Sequence, residues 1–148
     1  MAVTEGACRL GEWTVRVTVE DGLVLRVEFT DEEPYGKVPG PIAAYCRGER
    51  ADMGELRSVA LERPGRLAEI YLECHTIPYG HTTTYGAIAR QVGTSARAVG
   101  QAMRRNPTPL VIPCHRVIAG DGSYGGFSPS VAIKRYLLKM EGCTPPNC

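Results

Sequence analysis

Apolar and polar residues alternate from Trp13 to Glu20. Trp13, Val15, Val17 and Val19 fall on one side; Thr14, Arg16, Thr18 and Glu20 fall on the other. A period of two predicts a half-buried strand. Asp21-Gly22 is a turn signal, and Leu23, Leu25, Val27 and Phe29 alternate again, so a β-hairpin is expected. Residues 30–41 (TDEEPYGKVPGP) carry Pro, Gly and acids and read as loop. A short helix near Ile42–Arg47 follows.

The period changes near Pro64. Leu67, Ile70, Tyr71 and Cys74 recur at i, i+3, i+4 and i+7, the spacing of one helix face. A second helix is predicted after Thr84, a natural N-cap, with Tyr85, Ile88, Ala89 and Val92 inward and Gly93 closing it. Thr94 or Ser95 caps a third, with Ala96, Val99 and Met103 inward and Arg97, Gln101, Arg104 and Arg105 outside. Asn106-Pro107 stops it. Two short helices around a Gly-containing turn read as a helix-turn-helix, although any αα-hairpin shares that outline. Ala96, Ala98, Gly100 and Ala102 are small, which suits a helix that must come close to something. A last helix is expected from Pro129, with Ser128 as N-cap. Its apolar face would be Ile133, Tyr136, Leu137 and Met140; its polar face would be Lys134, Arg135 and Lys139.

Charge sharpens this picture. Residues 1–73 hold 9 Lys/Arg and 14 Asp/Glu, a net of −5, whereas residues 74–148 hold 8 Lys/Arg and 2 Asp/Glu, a net of +6. No acid occurs from Cys74 to Gly120, where Arg90, Arg97, Arg104, Arg105 and Arg116 all fall. Such asymmetry suggests an anionic partner, nucleic acid first, although a solvated basic face would look the same. No apolar run approaches the roughly 20 residues that span a bilayer. The start MAVTEGACRLGEW lacks the pattern of a signal peptide, so a cytoplasmic protein is expected. Six cysteines, at 8, 46, 74, 114, 143 and 148, include no CxxC. Neither a metal site nor a disulfide framework is expected.

Chemistry centres on Val111-Ile-Pro-Cys-His-Arg-Val117. Cys114 beside His115 is either an inert core thiol or a nucleophile with its base at hand. An ordinary thiol has a pKa of about 8.5 and needs help to ionise. Neighbours in a strand point to opposite sides, so Cys114 and His115 can meet only through a bend or a bridging water. Pro113 makes an irregular turn there plausible. The base would need a third group to orient it. After residue 73 the only acids are Asp121 and Glu141, which makes Glu141 a candidate. GDGSYGGFS (Gly120–Ser128) is Gly-rich but lacks the GK[ST] of a P-loop.

These residues resemble a known family. Ile112-Pro-Cys-His-Arg-Val117 is similar to the active-site signature of the O6-alkylguanine-DNA alkyltransferases. Arg97-Ala-Val-Gly-Gln-Ala-Met103 with Arg104-Arg-Asn-Pro107 resembles their recognition helix and the turn after it. IPYGHTTTYGAIA, Ser128 and Leu138-Lys-Met-Glu-Gly142 resemble the rest of the pocket, and Ala44-Tyr-Cys-Arg-Gly48 resembles a linker motif. The specific likeness covers residues 64–142.

The resemblance implies an α+β fold. An N-terminal β-hairpin or small antiparallel sheet would occupy residues 1–60. A helical domain with a winged-helix-like helix-turn-helix, residues 61–148, would carry DNA binding and chemistry. It implies a monomer without cofactor, membrane or metal, acting on double-stranded DNA that holds O6-alkylguanine. Cys114 would take the alkyl group irreversibly, and His115, through a water, would take the thiol proton while Glu141 orients the imidazole. Tyr85 would serve N3 of a flipped guanine, and Asn106 would brace the turn. Arg97 would fill the gap in the base stack, and Ser95, Ala96, Ala98, Gly100 and Arg104 would face DNA. Met103, Val117, Phe127 and Ser128 would shape the base pocket, with the Ser128 N–H on O6 and the carbonyls of Cys114 and Val117 on the exocyclic amine.

The chain departs from the family in three places. Pro129 stands where glycine is usual and Phe127 where tyrosine is common. Pro64-Gly65-Arg66 replaces an aromatic. The alternatives are a non-catalytic binder of alkylated DNA, a helix-turn-helix regulator and a thiol hydrolase.

Overall fold

The computed structural model describes residues 2–127 and 130–145. Expectations for Ser128 and Pro129 lie outside them. Three antiparallel strands form a meander: β1 (Val3–Leu10), β2 (Trp13–Glu20) and β3 (Leu23–Thr30). β2 and β3 are the expected hairpin, and Asp21 and Gly22 both take positive φ at its turn, as a tight two-residue hairpin turn requires. A bulge at Thr18/Val19 shifts the register, so Val24 rather than Leu25 is buried beside the turn.

β1 escapes the sequence pattern, because VTEGACRL has a Gly-Ala centre and no clean alternation. Gly6 has a specific reason to be there. A Cβ on it would lie 2.1 Å from the Lys37 carbonyl oxygen, where the 30–41 loop crosses the strand. That loop pairs with β1 through Ala7 and Tyr35. α1 (Gly40–Cys46) follows, and β4 (Arg57–Ser58) joins β3 in parallel to complete a sheet of order β1-β2-β3-β4.

The helical part comprises α2 (Arg66–His75), α3 (Tyr85–Val92), α4 (Ala96–Arg104) and α5 (Val131–Met140). Thr84 caps α3 by accepting from the Ala87 N–H, and Gly93 ends it in the left-handed region. Ser95 caps α4 by accepting from the Ala98 N–H. β5 (Thr83–Thr84), just before α3, pairs in parallel with β6 (Val117–Ile118), which follows α4. Tyr85 directly follows β5 and Cys114 lies just before β6, so this small ladder brings the two together.

Several expectations need correction. Leu67 is 47% exposed, leaving Ile70, Tyr71 and Cys74 as the buried face of α2. Ala96 is exposed, and the inner face of α4 is Val99, Ala102 and Met103, so Ala102 is not part of the accessible small stripe. α5 begins at Val131 with Ser130 as its N-cap. Lys134 is fully buried rather than on a polar face, while Tyr136 is 37% exposed and packs edge-on against Trp13. Among the cysteines, 8, 46, 74 and 114 are free thiols, and Cys143 is disulfide-bonded.

Two cores meet at the segment leading to Cys114. One joins Leu10, Val15, Val17, Val24, Val27, Ile42 and Tyr45 to Leu110, Val111, Ile133 and Leu137. The other joins α2, α3 and α4 through Ile70, Tyr71, Ile88, Val99 and Met103 to Ile112, Cys114 and Val117. Successive residues Val111 and Ile112 thus point into different cores. Burial on both sides holds the reactive turn rigidly.

Candidate active site

Cys114, His115 and Arg116 form a single 3-10 turn after Pro113. The turn is the bend that a Cys-His neighbour pair needs. Asn106 braces it from the end of α4: its Oδ1 accepts from the Thr108 N–H at 3.0 Å, and its Nδ2 donates to the Ile112 carbonyl at 2.8 Å.

Cys114 is 4% exposed and lines a cleft of about 560 Å3. Tyr85, Ala96, Arg97, Gly100, Met103, Arg104, Gly126 and Phe127 form the other walls. The mouth therefore lies along the length of α4. Arg97 and Arg104 are exposed there, and Arg90 and Arg105 are exposed as well. Arg116 is not part of this surface, since it is buried.

Behind the thiol lies a buried polar cluster. His115 Nε2 is 2.7 Å from Glu141 Oε2, and both side chains are 0% exposed. Arg116 donates from Nε to Glu141 Oε1 at 2.9 Å and from a terminal nitrogen to Oε2 at 3.1 Å. Its other terminal nitrogen donates to the Ile77 carbonyl at 2.8 Å. The Gly80 N–H donates to Glu141 Oε1 at 2.9 Å, and the Tyr45 hydroxyl donates to Oε2 at 2.5 Å.

Burial alone would raise the Glu141 carboxyl, but the His115 and Arg116 hydrogen bonds outweigh it and hold the group well below the carboxylate range. Glu141 is thus an acceptor, and Nε2 of His115 carries the proton between them. His115 Nδ1 is left as a lone pair, buried and with no hydrogen-bond partner among the described residues. A buried acceptor without a partner marks a place for a water or a proton. Burial also lowers the His115 pKa, against the pull of Glu141. Burial pushes the Cys114 thiol up to about 11, while Asn106 and the Lys134 cation act to lower it. The resting thiol is therefore protonated, and its proton must leave before it can attack.

Lys134 is one of the groups whose place sequence reasoning missed. Its Nζ donates to the Val117 carbonyl at 2.6 Å, the Gly126 carbonyl at 3.2 Å and the Tyr85 hydroxyl at 3.4 Å. Burial lowers its pKa to about 8. One signal was available. Leu137 and Leu138 follow Lys134 at i+3 and i+4, so it shares their buried face. Tyr45 falls in the linker-like motif Ala44-Tyr-Cys-Arg-Gly48, but nothing in the sequence joined it to His115 and Glu141, which lie 70 and 96 residues away.

The remaining expected residues fall as follows. Tyr85 reaches the cleft wall and is raised by burial and by Cys114, against Arg104. Gly125 has φ +71° and packs against it, with a Cβ there 2.9 Å from the Tyr85 hydroxyl oxygen. Ser95, Ala96 and Arg97 are exposed and Ala98 is half-buried. Val117 is buried. Its carbonyl already accepts from Lys134, and the Cys114 carbonyl accepts from the Val117 N–H, which leaves one acceptor position on each.

Comparison with known proteins gives the family. The model of the 6-O-methylguanine DNA methyltransferase DNA-binding domain matches residues 67–143. A DNA base-flipping protein of Thermus thermophilus is 42% identical over 72% of this chain and 72% of its own length. The methylated-DNA–protein-cysteine methyltransferase of Metallosphaera sedula is 43% identical over 66% of this chain and 62% of its own. That of Saccharolobus islandicus is 51% identical over 57% of this chain and 54% of its own. The crystal structure of Mycobacterium tuberculosis O6-methylguanine methyltransferase matches with TM-score 0.77 and 26% identity, over 98% of this chain and 96% of that one. The same organism's protein in complex with DNA matches with TM-score 0.75 and 27% identity, over 91% and 90%. The chain belongs to the O6-methylguanine-DNA methyltransferase family, the O6-alkylguanine-DNA alkyltransferases.

Proposed function

We propose that this protein repairs double-stranded DNA by moving the alkyl group of O6-alkylguanine irreversibly onto Cys114. The observation that carries this reading is the placement of the thiol. It lies in a cleft rimmed by the exposed arginines of α4, with the buried His115–Glu141–Arg116 cluster behind it.

A base within a duplex cannot reach such a cleft, so the damaged guanine must be flipped out. Arg97, exposed on the mouth, is suited to fill the vacated stack, because its long planar cation can lie between bases. The accessible small residues Ala96, Ala98 and Gly100 suit close approach to a narrow groove. In the cleft, a water bonded to His115 Nδ1 relays the thiol proton to the imidazole. The thiolate attacks the alkyl carbon, the carbon–O6 bond breaks and a carbon–sulfur bond forms. Tyr85 donates at N3 so that guanine leaves neutral. The net exchange moves the thiol proton to guanine and the alkyl group to sulfur. A thioether has no good leaving group, so each molecule acts once. Residues 1–60 frame the site, and residues 61–148 bind DNA and react. The thiol, the cleft and the buried cluster are complete within one chain, and on this reading it acts as a monomer. A reducing cytoplasm would keep the thiol free.

The likeness to a protein named for base flipping favours a second reading, binding without transfer. Intact-mass analysis after incubation with an O6-methylguanine duplex separates the two. Transfer predicts that the protein gains one methyl in place of one proton and no more. An unchanged mass with tight binding would favour the second reading.

A further inference from the structure

The His115–Glu141 pair is completed from outside the helical part of the chain. Tyr45, on α1, is 1% exposed, and its hydroxyl donates to Glu141 Oε2, the same oxygen that receives the His115 Nε2 proton. The hydroxyl oxygen is itself 3.3 Å from His115 Nε2. A hydroxyl that has spent its proton on Glu141 can only accept from Nε2. The Nε2–H is therefore shared between the carboxylate and the phenol oxygen. Both contacts require the proton on Nε2, and so require Nδ1 to be the free base.

The geometry points to Tyr45 as a positioning residue for alkyl transfer, fixing the His115 tautomer and setting how strongly Glu141 holds an imidazolium. This rests on the transfer reading above and adds a role for α1 in it. The Tyr45 ring belongs to the N-terminal core and packs edge-on against Tyr79, and among the described residues its hydroxyl meets these two groups. Burial, then the Glu141 charge, raises the Tyr45 pKa well above 10, so it stays a donor throughout the working range.

A pH test must allow for the other charges around His115. Arg116 contacts the pair directly, Lys134 acts on His115 from α5, and Tyr79, in the loop before β5, is raised by the Glu141 charge and acts on Tyr45. The Cys114 thiol is the proton source. Changes confined to the phenol substitute none of these residues and reach them only through the Tyr45 hydroxyl.

The experiment measures single-turnover methyl transfer from an O6-methylguanine duplex against pH, in the native protein and two forms altered at residue 45. Native transfer must occur at all; if it does not, the function reading fails and not this one. Transfer is lost at low pH as His115 takes a proton. In Tyr45→Phe, Glu141 loses a competing donor and holds the imidazolium better. The acid limb should move to higher pH, and the maximal rate should fall about tenfold, the worth of one hydrogen bond to a charged group. Difluorotyrosine at position 45 keeps the shape and donates more strongly, so it should move the limb the other way, to lower pH. This second form serves if Tyr45→Phe does not fold. Opposite shifts support the role. A limb that stays in place in the forms that fold overturns it, whether or not the rate falls, because loss of packing alone would not move it.

Discussion

The guanidinium of Arg116 holds both carboxylate oxygens of Glu141, at 2.9 and 3.1 Å. This pair is buried, so removing one partner strands the other. Arg116→Met should cost about 3–5 kcal/mol of stability, measured by urea unfolding. The pH sign follows from the Glu141 carboxyl, whose folded pKa lies below its unfolded one. Its contribution is present at neutral pH and is lost as pH falls through the folded value. Without Arg116 that loss should begin at higher pH.

Lys134 gives the opposite test. Its folded pKa of about 8 lies below the ordinary 10.5. The unfolded chain therefore binds more protons between these values, and this residue's contribution to stability rises as pH climbs through that window. The native protein minus Lys134→Met should show that slope in urea midpoints. The Lys134 cation also lies near Cys114 and bonds the Tyr85 hydroxyl. Methyl transfer should therefore slow in the native protein as pH rises through about 8, and Lys134→Met should be slow at every pH.

Arg97 and Tyr85 should separate by substrate. Arg97→Ala should slow repair of duplex DNA far more than reaction with the free base, because it removes only the aid to flipping. Tyr85→Phe should slow both by about 100-fold, the lower end of what a positioned proton donor supplies. Gly125→Ala should act like a weaker Tyr85→Phe. Its Cβ would press on the Tyr85 hydroxyl, and its backbone sits at φ +71°. Equal losses on both substrates for Arg97→Ala would remove the flipping role.

Duplex affinity should fall as salt rises, with a log–log slope of about 0.9 for each phosphate contact. Each of Arg90, Arg104 and Arg105 changed to Ala should lower that slope where it meets phosphate. Sequence preference should stay weak for a helix in the minor groove. Strong preference for one undamaged sequence would favour a regulator.

Local chemistry was legible and distant chemistry was not. The hairpin around Asp21-Gly22, the caps Thr84 and Ser95 and the stop at Gly93 each follow from residues within a few positions. Cys114 and His115 were legible because one short turn carries them, and Asn106 because it ends the helix whose stop at Asn106-Pro107 is itself legible. β1 was hidden because its Gly6 serves a loop crossing rather than a strand pattern. Lys134 was assigned to solvent because its charge hides that it shares a face with Leu137 and Leu138. Tyr45 and Arg116 stand in motifs that resemble the family, yet what they do was hidden for a different reason. Their roles depend on Glu141, which only the packing of α1 and α5 around the reactive turn brings within reach.

The central claim is that Cys114 accepts one alkyl group and is then spent. Titrating a fixed amount of O6-methylguanine duplex with protein, and mapping the modified peptide, tests it most directly. The account predicts one lesion repaired per protein molecule, methyl on Cys114 alone, and no repair by Cys114→Ala, which should still bind the duplex. More than one lesion repaired per molecule, or methyl on another cysteine, would contradict it.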